Sequence, residues 1–230
     1  MEEIAQITTR LPKSENLPGR LLPRAFFEDS PEKVAPRLLG KLLVHKHRHG
    51  VLAGRIVEVE AYLGPHNDQP DPAAHAHRGP TPRNLVLFGP AGHAYLYAIY
   101  GMHFCMNISC ETDGLAGSVL LRALDPVCGV HLMAANRGLP AEAPPRLIAS
   151  GPGRLCQALG LTRPIHNGLD ITNPASPLQV RDDGHPAPLF VATPRIGIRH
   201  AVDLPLRFAL RENGCVSGPK GLARVRNPKA

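Results

Sequence analysis

Hydrophobic and polar side chains alternate along residues 51–62, and this period of two predicts a β-strand with unlike faces. The apolar face carries Val57, Val59, Ala61 and Leu63, and the opposite face carries Ile56, Glu58, Glu60 and Tyr62. The Cβ atoms of the two glutamates are expected about 6–7 Å apart. Exposed acids at this spacing are usually solvated. Glu60 stands out because its strand runs directly into a long polar loop, with Tyr62 on the same face.

The rest of the pattern predicts short helices and strands separated by many turns. Ser30 and Pro31 are the expected start of a helix that ends near Gly40, and Gly160 is the expected C-terminal cap of another. Further helices are predicted over residues 127–138 and 152–159. Further strands are predicted over residues 41–44, 93–109 with a turn at Gly101, and 118–123, with two short strands within 194–214. We therefore predict a single α+β domain, with a curved, mainly antiparallel β-sheet surrounded by short helices and long loops.

Composition agrees with one domain rich in turns. The 230 residues include 25 Pro and 22 Gly, which argues against a helical bundle, and no motif recurs at the fixed period of a solenoid or collagen. The long loop is expected over residues 64–84, where Pro, Gly, Asp and His predominate. We predict a flexible arm over residues 1–19, a folded domain over 20–220 and a basic tail over 221–230.

The chain lacks the signals of a membrane or secreted protein. No run of 18 apolar residues occurs, and the N-terminal MEEIAQITTR carries acid where a secretory signal would carry base. We therefore expect a soluble, cytoplasmic protein with no membrane partner. The five cysteines are odd in number and include no C-x-x-C pair, so we expect no disulfide framework.

The charge distribution is compatible with a polyanionic partner. The formal net charge is +7, with the basic excess in the two flanks and a mildly acidic region over residues 51–150. A basic protein of this kind can bind nucleic acid, but basic proteins without such a partner are common. Charge alone leaves both interpretations open.

Tyrosine and lysine are distributed unevenly. Trp is absent, and all four tyrosines, Tyr62, Tyr95, Tyr97 and Tyr100, lie within residues 62–100. They are either core residues with tied hydroxyls or a platform on which a nucleobase stacks. No lysine lies between residues 47 and 219, so chemistry near Glu60 would use a carboxylate that activates water rather than an amine nucleophile.

Histidine spacing gives only a weak metal signal. His45, His47 and His49 alternate along one segment, and His75 and His77 form an H-x-H pair. Zinc sites usually add further well-spaced ligands, and HKHRH in a basic strand is more typical of a solvated edge. We predict no metal.

Five separated motifs resemble the alkyladenine (3-methyladenine) DNA glycosylase family in their order and spacing. They are RIVEVEAYLG (55–64), TPRN (81–84), HAYLYAIYGMHFCMN (93–107), LLRALDP (120–126) and GPGRLCQALG (151–160). The resemblance runs from about Arg20 to Gly218. It implies excision of alkylated, and often deaminated, purines from double-stranded DNA without a cofactor. We expect a monomer, although the sequence does not reveal the oligomeric state.

The resemblance also implies a role for individual residues. Glu60 corresponds to the general base that activates water, and Arg122 to the arginine that helps to place that water and a neighbouring phosphate. The expected base-binding residues are Tyr62, His75 and Tyr97, which sandwich the flipped base, and Asn107, which screens out guanine. The expected intercalating residues are Tyr100, which fills the gap in the duplex, and Met102.

Some features leave alternatives open. Ala209, Cys215 and the pair Ala149-Ser150 depart from the family pattern and bear on the packing of the pocket floor. Arg154 and Arg83 are candidate phosphate contacts, although solvated surface explains them equally well. A non-catalytic module that binds damaged nucleic acid is the second hypothesis. A glycoside hydrolase that uses Glu58 and Glu60 ranks last, because neighbouring positions on one strand cannot flank a bond.

Overall fold

The structure is a computed structural model that describes residues 17–186 and 188–218. In this part of the chain the strands are β1 (Arg20–Leu21), β2 (Leu42–His47), β3 (Gly50–Tyr62), β4 (Ala94–Ile99), β5 (His103–Cys110), β6 (Gly117–Cys128), β7 (Leu178–Asp182), β8 (Phe190–Thr193) and β9 (Arg207–Leu210). The α-helices are α1 (Pro31–Leu38), α2 (Val130–Asn136), α3 (Pro145–Ala149), α4 (Pro152–Ala158) and α5 (Arg163–His166). Short 3₁₀ turns occur at Arg24–Phe26 and Leu85–Phe88.

One sheet organises the domain. Its main path runs β1-β7-β2-β3-β6-β5-β4, while β9 joins β3 to β8, and every described pairing is antiparallel. On one side of β3, β2 pairs with its first half and β9 takes over along Glu58–Glu60. Short helices pack on this sheet, with α1 against β3 and α4 against β5. The predicted α+β fold with a mainly antiparallel sheet is confirmed.

The predicted strand over residues 51–62 is confirmed as β3, and both of its faces are covered. Its apolar face joins the main core, in which Val57, Val59 and Ala61 are completely buried. Glu58 and Glu60 are also completely buried, so the solvated interpretation of these acids is wrong. A carboxylate with no exposed surface needs partners for its charge.

Two opposing bulges lie next to each other in the ladder between β3 and β6, which has a further irregularity between Ala53 and Gly54. Ile56 pairs with Leu124 and Glu58 with Ala123, which leaves Val57 as an extra residue in β3. The next pair is Val59 with Leu121, which leaves Arg122 as an extra residue in β6. The freed Arg122 carbonyl accepts a hydrogen bond from the Gly151 N–H at 2.9 Å. Bulges change the direction of side chains, and the bulge at Arg122 directs its side chain toward Glu58 and Glu60.

The predicted helix ends are mostly confirmed. Helix α1 begins at Pro31, although the Ser30 side chain makes no capping hydrogen bond. Gly160, with φ 67°, follows α4, and the Leu161 N–H donates to the Cys156 carbonyl at 2.8 Å as the chain leaves the helix. The prediction for residues 127–138 is too long at its start, because β6 continues through Cys128.

The prediction of two strands within residues 194–214 is wrong. That segment contributes only β9, whose hairpin partner β8 lies before it. Pro194, Gly197 and Pro205 interrupt the alternation, since proline lacks the N–H that a ladder needs. Residues 196–200 instead form part of a cavity wall.

The described end of the predicted arm is packed rather than free. Leu17 is buried, and Arg181 on β7 donates hydrogen bonds to the carbonyls of Pro18 and Gly19. Residues 17–19 are therefore packed against the domain. The rest of the predicted arm and the predicted tail lie outside the described residues.

The interpretation of the histidine-rich strand as a solvated edge is wrong, because β2 lies between β7 and β3. His45 is buried, its Nδ1 lies 2.8 Å from the Leu159 carbonyl oxygen, and its Nε2 lies 3.3 Å from Nε2 of His166. The Thr162 N–H donates to Nδ1 of His166 at 3.0 Å. These contacts are all satisfied when the rings of His45 and His166 are neutral. Burial lowers the pKa of His45 to about 4.

Acidification is expected to destabilise the protein through His45. Because the pKa is about 4 in the folded protein and near 6.5 when unfolded, the unfolded chain binds the proton first. The contribution of neutral His45 to the free energy of unfolding is complete above about pH 6.5. It falls by about 2 kcal/mol between pH 7 and pH 5. Urea unfolding at both values checks this. The pH dependence should shrink in His45→Gln and persist in the control His49→Gln, whose ring is exposed.

Candidate active site

A cavity of about 470 Å³ opens beside the end of β3. Its walls come from β3 and β6, the β4–β5 hairpin, the loop over residues 64–84 and residues 196–200. Its volume is in the range of small-molecule sites. Of the predicted site residues, Tyr62, His75, Tyr97, Tyr100, Asn107 and Arg122 line it.

Aromatic side chains form one wall of the cavity. The ring of His75 lies 4.5 Å from that of Tyr97, which stacks on Tyr95 with ring centroids 5.7 Å apart. Tyr95 is almost completely buried, and its hydroxyl lies 3.1 Å from Nδ1 of His75. Tyr95 is therefore mainly a core residue with a tied hydroxyl, whereas Tyr97 and Tyr62 present partly exposed rings.

Glu60 lies behind the Tyr62 side chain and is held by three polar partners. Its Oε1 accepts a hydrogen bond from the Ile196 N–H at 2.7 Å and forms an ion pair with Nη1 of Arg122 at 3.1 Å. Its Oε2 accepts one from the Tyr62 hydroxyl at 2.9 Å. A carboxylate offers about four acceptor positions, so Oε2 retains one beyond the described donors.

The electrostatics keep the aromatic side chains of the cavity neutral around a charged centre. Burial raises the pKa of the Tyr62 hydroxyl, and the Glu60 carboxylate raises it further. Burial also raises the pKa of Tyr97 and lowers that of His75. Burial alone would lower the pKa of the Arg122 guanidinium, but Glu60 and Glu58 outweigh it and raise that pKa.

A second carboxylate lies behind Arg122. Glu58 Oε1 accepts hydrogen bonds from Nε of Arg122 at 3.0 Å and from Nε of Arg207 at 2.6 Å. Its Oε2 accepts one from the Ser217 N–H at 2.6 Å. Arg122 therefore bridges Glu58 and Glu60 within one buried cluster.

A buried ion pair fastens the loop over residues 64–84 to the end of β3. Arg195 binds Asp71 with both terminal nitrogens, donates to the Ala61 carbonyl at 3.0 Å, and lies over the Tyr62 ring at 4.6 Å. Both charged side chains are completely buried, and Nε of Arg195 has no partner among the described residues. Asp71 is therefore the counter-charge for Arg195.

The floor of the cavity includes Asn107 and Cys105, both buried on β5. Burial raises the pKa of the Cys105 thiol. All five cysteines are free thiols. Within residues 17–186 and 188–218, no three His, Cys, Asp or Glu side chains come close enough together to hold a metal ion.

The β4–β5 hairpin presents an exposed aromatic side chain at the rim of the cavity. Tyr100 is 92% exposed and Met102 is 76% exposed. Tyr100 has φ 49° and Gly101 has φ 74°, so two successive residues adopt the left-handed conformation. This conformation costs a non-glycine residue about 1–2 kcal/mol.

A family comparison matches most of the chain. A model of the family described as methylpurine-DNA glycosylase matches residues 25–214. The chain belongs to this family. It is therefore a DNA N-glycosylase, and the resemblance inferred from the five motifs is confirmed.

Individual relatives of this methylpurine-DNA glycosylase agree over nearly their full lengths. A protein of Koribacter versatilis is 52% identical, with 92% of this chain and 100% of the relative covered. Proteins of Methanoculleus marisnigri and Burkholderia lata are 51% and 46% identical, covering 85% and 88% of this chain and 98% and 93% of the relatives. All three carry the name "Putative 3-methyladenine DNA glycosylase".

Sequence reasoning missed several side chains in this methylpurine-DNA glycosylase. Arg195, Arg207 and Asp71 were not identified, although an arginine inside the apolar run LPLRFAL was a signal that Arg207 is paired. The departures from the family pattern lie away from the cavity. Ala209 pairs with Glu58 in the sheet, and Cys215 contacts Asp125.

A basic groove adjoins the glycosylase cavity. It is lined by Arg122, Arg137, Arg146 and Arg154, and no acidic residue is among its described lining residues. Arg122 and Ile196 line both spaces. Arg83 instead lies over the Tyr97 ring at 5.8 Å. No helix in the described part of the chain is long and apolar enough to span a bilayer.

Proposed function

We propose that this glycosylase flips alkylated purines out of duplex DNA and hydrolyses the N-glycosidic bond with a water activated by Glu60. The observation that carries the proposal is that Glu60 lies buried behind Tyr62 and is paired with Arg122, and that both Tyr62 and Arg122 line a cavity with aromatic walls. The product would be an abasic site in an intact strand, because the described cavity offers no lysine for a Schiff base.

The hydrogen bonds of Glu60 suggest how a water would be held. Oε1 is occupied by Ile196 and Arg122, so the water proton would go to Oε2. Since Glu60 has no exposed surface, the side chains that cover it must move for a water to reach the open acceptor position on Oε2. The positive charge of Arg122 would lie beside the Glu60 carboxylate until the proton moves.

The cavity favours positively charged lesions. An N-alkylated purine is cationic, stacks well on tyrosine and histidine rings, and leaves as a neutral base without acid catalysis. A neutral deaminated base needs a proton donor, and the lowered pKa of His75 disfavours its charged form. We propose that deaminated purines are excised more slowly than alkylated ones.

The surroundings of the cavity support duplex DNA as the partner. Tyr100 and Met102 are exposed where a wedge would enter the base stack, and an inserted side chain offsets part of the lost stacking energy. The basic groove gives the DNA backbone a complementary charge. We also propose that the monomer is the active form.

Release of free base from a duplex with one methylated purine tests the function. We expect free base and alkali-sensitive abasic sites in equal amounts, with strands intact before alkali. Binding to the damaged duplex without any base release would contradict the proposal and support a non-catalytic binding module.

Tyr100→Asn is expected to separate stability from activity. Asparagine tolerates the left-handed conformation better than tyrosine, so the free energy of unfolding should rise by about 0.5–1 kcal/mol. Base release should slow, because the wedge is lost. Urea unfolding and single-turnover excision measure the two effects. Unchanged excision at limiting enzyme would remove the wedge role from Tyr100.

A further inference from the structure

We propose that Glu58 and Arg207 are positioning residues that orient Arg122 and keep the buried charge around Glu60 balanced. This inference rests on the proposed role of Glu60 as the base. Neither residue lines the cavity, so both would act through Arg122 rather than on the substrate.

The contacts divide the Arg122 guanidinium between two carboxylates. Its Nε binds Glu58 at 3.0 Å and its Nη1 binds Glu60 at 3.1 Å. Without Glu58, Arg122 could turn both edges of its fork to Glu60 in a bidentate pair. That arrangement would occupy the acceptor position on Oε2 that the attacking water needs. Glu58 therefore keeps Arg122 in a one-point contact with Glu60.

Arg207 balances the second carboxylate and fixes its position. It binds Glu58 at 2.6 Å, donates to the Thr193 hydroxyl at 2.9 Å, and pairs across the sheet with Glu60. The Ser217 N–H holds the other oxygen of Glu58. These contacts come from three separate segments, so Glu58 cannot swing away from Arg122.

The cluster contains two negative and two positive groups, Glu58, Glu60, Arg122 and Arg207, all of them buried. Burial weakens solvent screening, so Glu60 responds to the loss of any one of these charges. Other titratable groups near Glu60 are Tyr62, Cys105 and the balanced pair of Arg195 with Asp71. Burial raises the pKa of the Tyr62 and Cys105 side chains, so both are neutral near pH 7.

The test is the pH dependence of single-turnover base release, measured with a duplex that carries one methylated purine. Glu58→Gln leaves an excess positive charge and stabilises ionised Glu60. In the pH–rate profile of Glu58→Gln, the acid limb should move down by about one to two pH units. The plateau rate of the same profile should fall roughly tenfold, because Glu60 is then a weaker base. Arg207→Gln leaves an excess negative charge and should move the limb up by a similar amount.

The double variant Glu58→Gln/Arg207→Gln restores a neutral cluster, and its acid limb should return to the wild-type position. A remote pair supplies the control, since Lys41 and Asp182 are joined at 2.7 Å on the far side of β2. Asp182→Asn should leave the limb in place.

Acid limbs that stay at the wild-type pH in the single variants would overturn the inference, whatever happens to the plateau. If one single variant fails to fold, the other single variant is compared with the double variant. A double variant whose acid limb differs from that of the wild-type protein also overturns the inference. No base release by the wild-type protein would instead contradict the proposed function. The two failures are therefore distinguishable.

Discussion

Glu60→Gln is expected to slow base release by about a thousandfold, the range in which loss of a general base is usually felt. Glutamine has the same shape, and its oxygen can still accept from the Ile196 N–H and lie beside Arg122. It cannot take a proton from water at neutral pH. The variant should therefore fold and bind damaged duplex DNA while losing the chemical step.

Single-turnover excision and equilibrium DNA binding measure the two properties separately. Glu28→Gln is a suitable control, since Glu28 is exposed and distant in sequence from the cavity residues. Retention of more than a tenth of the wild-type rate by Glu60→Gln would show that another group activates the water. Loss of DNA binding together with activity would point to misfolding of the wall rather than to lost base catalysis.

Asp71→Asn is expected to lower the free energy of unfolding by about 3–5 kcal/mol, because it leaves a buried arginine without its counter-charge. Arg195 is completely buried, and Asp71 binds both of its terminal nitrogens. Asp71 also accepts hydrogen bonds from the backbone N–H groups of Leu63 and Ala73. The substitution should therefore loosen the loop that carries His75, and excision should slow as well.

Urea unfolding at pH 7 gives the stability change. The matched control is Asp68→Asn, since Asp68 is an exposed aspartate of the same loop. It should change the free energy of unfolding by less than about 0.5 kcal/mol. A loss below about 1 kcal/mol for Asp71→Asn would mean that solvent or another group compensates Arg195.

The part of the site on β3 could be predicted because a strand has a fixed period. Alternation alone places Glu58, Glu60 and Tyr62 on one face, and the structure has the Tyr62 hydroxyl on Glu60. The burial of the two acids could not be predicted in the same way. It depends on β9 and on Arg207, which lie almost 150 residues further along the chain.

Non-local pairing also accounts for the remaining errors. The pattern HKHRH predicts a polar edge strand. In the structure β7 pairs with the free side of β2, so His45 lies inside the domain. Residues 194–206 show some alternation but form no strand. The strand that pairs with β9 is β8, which precedes them, and residues 194–206 connect the two strands. The role of Arg195 depends on Asp71, which the sequence places in a loop with no periodic pattern.

The two opposing bulges make the site sensitive to chain length. Val57 and Arg122 are each one residue more than a regular ladder needs, and the two excesses cancel. Deleting Val57 alone would shift the pairing by one residue and turn the following side chains to the opposite face. Deleting both would restore regular pairing between Ile56 and Val59 but remove the arginine. Single-residue insertions and deletions in β3 and β6 should therefore be tolerated far less well than most substitutions, because the site depends on two matched irregularities.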